Sequence, residues 1–211
     1  MLLCYGIAKP DRRQIRRAGG TRRTAVLQSA AKVLAQRGYE GTRYADVSMT
    51  SGVAVSTLQS YFGSRDDMVI EALRYATHVE LLALDAVASS EVGPWNRLVT
   101  LIDRNLNTSI HTHQLLIEFW RAGIRDAELR DHGQELWACY RAPFLKTVVE
   151  GCDEGAFTPV LGAEDVVDLL IPMLTGAMMP RVLHFPSPTA DRFRTSLLQL
   201  VGQMLGRTGF R

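Results

Sequence analysis

Apolar residues recur along most of this 211-residue chain at steps of three and four, the spacing that lines one face of an α-helix. The pattern begins with Leu27, Ala30, Ala31 and Leu34, in a helix that starts near Thr21 and that Gly38 is placed to close. Two short clusters follow, over residues 43–50 and 54–62. One long stripe comes next: Val69, Leu73, Ala76, Val79, Ala83 and Val87. Ser64 with Asp66 and Asp67 marks the start of that long helix, because carboxylates there face its positive end. Gly93-Pro94 restarts the chain. Trp95, Leu98, Val99, Ile102 and Leu106 form the next stripe, then Leu115, Leu116, Phe119 and Trp120. Leu136, Trp137, Tyr140, Phe144 and Val148 form a third, which runs out near residues 151–155. No stretch alternates with the period of two that a half-buried strand shows. The pattern predicts an all-α protein.

The last stretch departs from the one-face rule. From Ala163 the chain reads AEDVVDLLIPMLTGAMMPRVL, apolar on nearly every side after Asp168. Gly176 and Ala177 allow another helix to approach closely, while Pro172 and Pro180 are expected to kink or interrupt the run. After a turn at Phe185–Pro186, Ser187-Pro188 is placed as cap and first residue of a final helix carrying Phe193, Leu197, Leu200, Val201 and Met204. Left half exposed, two such helices present a patch large enough to aggregate. Residues about 163–207 are therefore expected to pair with their copies in a homodimer, although both helices could instead close the chain's own core.

The densest local signal lies between Gly38 and Arg65, GYEGTRYADVSMTSGVAVSTLQSYFGSR, which reads as two short helices around a Gly52-Val53 turn. Thr42 can cap the first helix, with Arg43 and Tyr44 at its entry. In the second, Leu58 and Phe62 share an inward face, and Val55, Ser56, Gln59 and Ser60 occupy the opposite one. Thr57, Tyr61 and Arg65 ring that neutral face with hydroxyls and a cation. No charge falls between Asp46 and Arg65, where a structural surface helix commonly shows Glu/Lys pairs. A neutral face that can meet base edges, rimmed by groups that seek phosphates, suits double-stranded DNA.

Charge sharpens the picture. Residues 1–75 hold twelve Lys and Arg against six Asp and Glu, a surplus of six positive charges. Residues 76–211 hold twelve against sixteen, a deficit of four, which together give the net +2. A basic head on an acidic body implies an anionic partner at one end only. Arg12, Arg13, Arg16, Arg17, Arg22 and Arg23 make a basic run, either a solvated tail or an arm that follows DNA phosphates. The opening MLLCYGIAKPDRRQIRRAGG is not expected to be a secretion signal, because its apolar part is short, precedes the charges and has no cleavage pattern after it. Cys4, Cys139 and Cys152 lack metal-ligand spacing and leave at least one thiol unpaired, which fits a reducing cytoplasm.

The residues Gly38, Thr42, Val47-Ser48, Ser51-Gly52-Val53-Ala54, Thr57-Leu58, Tyr61-Phe62, Arg65-Asp66 and Met68 together resemble the N-terminal signature of TetR-type (tetracycline-repressor-like) transcriptional regulators over residues 22–70. The resemblance implies phosphate contacts at Tyr61 and Arg65 and an anchoring role for Phe62. Ala54 stands where the family has a capping Ser, a loss of about 1 kcal/mol. Gln59 replaces a common aromatic, which alters which operator is read, and Ser48 replaces a small apolar residue. The segment LIEFWRAGIRDAELR, from Leu116, resembles a body segment of one branch of the family. The resemblance further implies a small-molecule pocket in the body, a homodimer, and a repressor released from a palindromic operator by its effector. Candidate ligand contacts are Asp103, Glu118, Trp120, Trp137, Tyr140, Phe144, Met173 and Ala177, with His113 as a further polar group. Core packing is the competing account of each aromatic and Met. The expected organisation is a basic arm over 1–20, a helix-turn-helix domain over 21–63, and an effector-binding and dimerisation domain over 64–211.

An enzyme is disfavoured. His111 and His113 are two apart and cannot share a metal from one helix, and no nucleophile elbow or Gly-rich phosphate loop is present. Cys139 lies beside Trp137 and Tyr140 with no nearby base. No cofactor, metal or membrane partner is expected. The alternatives to a ligand-controlled regulator are an architectural DNA-binding protein without an effector and, behind it, an enzyme on a helical scaffold.

Overall fold

The computed structural model describes residues 20–90, 93–185 and 190–207. The arginines at 12, 13, 16 and 17, Cys4, the turn at Pro186 and the helix start at Ser187-Pro188 lie outside the described residues. Among the described residues the regular structure is helical: α1 (Gly20–Gly41), α2 (Tyr44–Ser51), α3 (Val55–Phe62), α4 (Arg65–Ala88), α5 (Pro94–Leu106), α6 (Ile110–Gly123), α7 (Ala127–Asp153), α8 (Ala163–Val182) and α9 (Ala190–Met204). No helix among the described residues is long and apolar enough to cross a membrane.

The chain folds into two units. The first takes the described residues up to Glu80 together with His111–Ala138; the second takes Leu81–Ile110 and the chain from Cys139 onward. In the first, the expected face of α1 (Leu27, Ala30 and Leu34) is buried with Val26 and Val33 against Val47, Leu58, Phe62, Val69, Leu73 and Phe119. This core explains why α2 and α3, at eight residues each, are helices at all. So short a segment is marginal alone and is held by the apolar face it buries. Gly38 closes the regular part of α1, at φ 72° and ψ 173°.

The second unit is centred on Leu98, Leu101 and Ile102 of α5, Phe144 and Val148 of α7, Val166, Leu170, Ile171 and Leu174 of α8, and Leu197, Val201 and Leu205 of α9. Pro94 begins α5, where its missing N–H costs nothing. Buried Arg97 crosses this unit, one nitrogen donating to the Ala88 carbonyl at 3.2 Å and pairing with Glu150. Two expectations change. Pro172 and Pro180 do not interrupt α8, because each removes a single backbone bond while Ile171, Leu174 and Met178 beside them are buried. In α4 the buried stripe runs Val69, Leu73, Thr77, Leu81, Leu84 and Ala88, leaving Val79 exposed; Thr77 enters it because its hydroxyl bonds the Leu73 carbonyl at 2.9 Å.

Leu98→Ala and Ile171→Ala, each at a fully buried site, are expected to lower unfolding free energy by about 2–5 kcal/mol in denaturant titrations. Val160→Ala, at a 96 % exposed position, should stay within about 0.5 kcal/mol.

Candidate nucleic-acid interface

The pair of short helices α2 and α3 is set by its turn. Gly52 adopts φ 69° and ψ 13°, a left-handed conformation that a side chain strains, and its N–H closes α2 on the Ser48 carbonyl at 2.9 Å. Val53, nearly buried, plugs the core under the turn, and its N–H donates to Ser51 Oγ at 3.3 Å. Helix α3 then starts at Val55, with Ala54 giving no side-chain cap. Leu58 and Phe62 point inward. Ser56, Gln59 and Ser60 are exposed, and Val55, Thr57 and Tyr61 are half-buried around them. The Tyr61 ring stands edge-on to Phe62, 6.1 Å between centroids, so the core that fixes Phe62 also orients Tyr61.

Other candidate contacts are engaged within the head. Helix α2 begins at Tyr44 with Arg43 as its cap residue, so Thr42 lies outside it. Thr42 is fully buried, and its hydroxyl donates backwards to the Gly38 carbonyl at 2.8 Å instead of capping α2. The cap is made by Asp46, whose carboxylate accepts the Arg43 N–H at 3.2 Å and pairs with Arg37 at 3.0 Å. Arg43 itself is exposed. The Tyr44 hydroxyl is buried without a hydrogen-bond partner among the described residues, and burial pushes its pKa up. Arg65 donates from Nε to the Thr42 carbonyl at 2.8 Å, donates to the Tyr39 carbonyl, pairs with Asp66, and lies 4.8 Å over the Tyr39 ring. Its guanidinium thus fastens the start of α4 to the end of α1.

The candidate ligand residues divide between the two units. Glu118 of α6 belongs to the first, where its carboxylate accepts the Tyr39 N–H at 2.9 Å and Arg121 at 3.0 Å. Burial alone pushes its pKa up, but the bonds from Arg121 and from Tyr39 outweigh that and leave it below the ordinary value. Trp120 and Trp137 line an open apolar groove of about 460 Å³ with Phe119, Ile124 and Leu129. In the second unit, Asp103 takes a two-pronged pair from Arg194. Tyr140 accepts from the Asn105 amide, and its deep burial pushes its pKa up. Phe144 is fully buried, Met173 packs partly buried on the same core, and Ala177 is half-buried. His113 is buried in the first unit. Among the described residues no three His, Cys, Asp or Glu gather as metal ligands would. Of this groove sequence reasoning named only Trp120 and Trp137 as ligand contacts, and missed Phe119, Gly123, Ile124, Leu129, Arg130, Gly133 and Gln134. The sequence signal for those up to Arg130 is the segment LIEFWRAGIRDAELR from Leu116, which contains them; Gly133 and Gln134 lie just beyond it.

Three sets of comparisons bear on this geometry. The family profile described as "Bacterial regulatory proteins, tetR family" matches residues 26–72, and that of "BetI-type transcriptional repressor, C-terminal" matches residues 94–206, more than half of the chain. The HTH-type transcriptional repressor KstR2 of Mycobacterium tuberculosis is 24 % identical over 150 residues, covering 68 % of this chain and 73 % of its own. Among solved structures, a regulator from Saccharomonospora viridis in complex with choline superposes with a TM-score of 0.78 at 19 % identity, over 87 % of this chain and 96 % of that one. FadR of Bacillus subtilis, in complex with stearoyl-CoA, does so at 0.68 and 17 %, over 88 % and 98 %.

Glu118 gives a pH test. A carboxylate whose folded pKa is depressed contributes stability that is fully present above the unfolded value and lost as pH falls through the folded one. The difference in unfolding free energy between wild type and Glu118→Gln should therefore be constant above 4.5 and fade as pH drops below it, read from denaturant titrations across that window.

Proposed function

The chain belongs to the tetR family of bacterial regulatory proteins, DNA-binding regulators of transcription, and on that premise we propose a cytoplasmic, homodimeric repressor that a small-molecule effector releases from a palindromic operator. The observation that carries the DNA reading is the face of α3, where Ser56, Gln59 and Ser60 are exposed and uncharged above the buried pair Leu58 and Phe62. Short neutral donors and acceptors fit base edges, whereas a charged face would meet the phosphates first. Val55 and Thr57 flank that face, and Tyr61 and the exposed Arg43 supply its phosphate contacts. Thr42, Tyr44 and Arg65 act on DNA through the fold they hold together.

Arg43→Ala should weaken binding to cognate and random duplex alike and flatten the dependence of log affinity on log salt by about one unit. Gln59→Ala should leave that slope unchanged and alter which bases are preferred. Gel-shift titrations at several salt concentrations separate the two effects. Unchanged affinity in both variants would place the reading face elsewhere.

The effector reading draws on the relatives. The S. viridis regulator was solved with choline and B. subtilis FadR with stearoyl-CoA, on the same fold. In this chain, residues 64–211 would carry ligand binding and dimerisation, with residues 21–63 as the DNA-binding domain and 1–20 as a basic arm. Whatever molecule releases the operator must bind the two states with different affinity, and operator must weaken its binding by the same factor.

The dimer is supported by outward apolar residues on the last two helices. Leu169, Pro172, Gly176, Met179 and Leu183 are exposed at steps of three and four along α8 and just past its end, and Leu200 is exposed on α9. Leu197 and Val201, by contrast, lie in the chain's own second core, so substitutions there test folding and not assembly. A two-fold through the outward stripe would set two heads about 34–36 Å apart, or a multiple of that, on a palindrome. Light scattering on Leu169→Glu with Leu200→Glu is expected to report a folded monomer where the wild type is a dimer. A double variant that stays dimeric would move the interface away from α8 and α9.

A further inference from the structure

We propose that the groove between α6 and the start of α7 binds an apolar molecule carrying one anionic group, and that this is where the effector acts. Its role as effector site rests on the regulator reading above; the site itself rests on geometry. At about 460 Å³ the groove falls within the roughly 300–1,000 Å³ of small-molecule sites, and every lining residue belongs to the first unit. Phe119, Trp120 and Leu129 belong to that unit's core or pack on it, while Ile124 and Trp137 stand 74 % and 43 % exposed. An indole and an isoleucine left in water along one concave surface gain burial only when something fills it.

The polar groups in the lining select the charge of the occupant. Arg130 donates from Nε to the Gly123 carbonyl and from a terminal nitrogen to the Ile124 carbonyl, 3.2 Å each. The guanidinium is thereby fixed, with further N–H groups left for an acceptor. Gln134 adds a neutral amide, and among the described lining residues there is no carboxylate. Glu118, adjacent in sequence to Phe119, is already engaged by the Tyr39 N–H and Arg121. A quaternary ammonium such as the choline of the S. viridis regulator would meet aromatic rings here, but beside a fixed cation and with no counter-charge among the described lining residues. An anion on an apolar body meets both kinds of lining.

The groove also has a short route to the head. Phe119 and Trp120 directly follow Glu118, whose carboxylate holds the Tyr39 N–H at the end of α1. A molecule that shifts this turn of α6 on binding would shift the carboxylate carried by the same turn.

The test uses the full chain and the fluorescent aryl sulfonate 1-anilinonaphthalene-8-sulfonate, whose binding quenches Trp120 and Trp137 by energy transfer. One saturable site per chain is expected, displaced by decanoate and not by decyltrimethylammonium at equal concentration below micelle formation. Arg130→Gln should weaken the probe by about tenfold, the loss of one charge-assisted bond. Gly133→Leu should abolish binding, since a Cβ there sits 3.4 Å from Phe119 and a longer side chain fills the groove. Equal probe affinity in Arg130→Gln, or equal displacement by the ammonium, overturns the proposal even if Gly133→Leu fails to fold. Operator titrations on the same samples separate the readings. Decanoate that displaces the probe but leaves operator affinity unchanged overturns the effector role and keeps the site. A chain that binds no operator overturns the regulator reading, and the effector role that rests on it, and leaves the binding site standing.

Discussion

The peptide at Tyr39 is held from both sides. Its N–H is taken by the Glu118 carboxylate of α6, and its carbonyl by the Arg65 guanidinium at the start of α4. The chain can present both groups because Gly38, immediately before, adopts φ 72°, a left-handed conformation open to glycine. A Cβ at Gly38 would also lie 2.9 Å from a Glu118 oxygen, so a side chain there would displace the carboxylate that holds the Tyr39 N–H. The Thr42 hydroxyl returns to the Gly38 carbonyl, and Arg65 Nε takes the Thr42 carbonyl. The entry to α2 is thus built on the same knot. Charged groups do the holding here, at a site too close to solvent for apolar packing to fix a backbone angle.

Below that knot the head is an apolar problem. Val53, Leu58 and Phe62 bury against α1 and α4, and their burial turns the remaining sides of α3 outward. An inward Phe62 also carries the Arg23 guanidinium 5.1 Å over its ring, while Arg23 pairs with Glu71 of α4. Burial pushes the Glu71 pKa up, and Arg23 opposes it. The face left exposed needs no charge for its own stability, and so is available for a partner.

The second unit is organised by a different rule. Its core is mostly aliphatic, with Phe144 and Phe157 among the aliphatic side chains of several helices, and its polar ties run from Arg97 to Glu150, Arg194 to Asp103, and Arg181 to the Leu106 and Thr108 carbonyls. Those ties consume Asp103, a group that sequence alone leaves open for a ligand. They leave α8 with more apolar residues than one core can take, and the surplus faces outward at Leu169, Met179 and Leu183.

Much was legible in the sequence because it is local. The period of three and four marks the apolar faces of α1, α3 and α5, Gly52 marks the turn, and Gly93-Pro94 marks a restart, all from neighbours within a few residues. The neutral face of Ser56, Gln59 and Ser60 was legible for the same reason, since the inward pair Leu58 and Phe62 lies within one turn of it. Pairing between residues far apart was not. Nothing near Arg65 says that it reaches back to Tyr39 and Thr42, nor near Glu118 that it meets an N–H seventy-nine residues away. The eight candidate ligand residues share a composition, but tertiary packing divides them, burying Phe144 in one core and leaving Trp137 on the lip of a groove. Helical period fixes which side of a segment seeks apolar company. Only the folded chain decides which segment supplies it, and so which polar groups are spent inside the protein and which remain to meet something else.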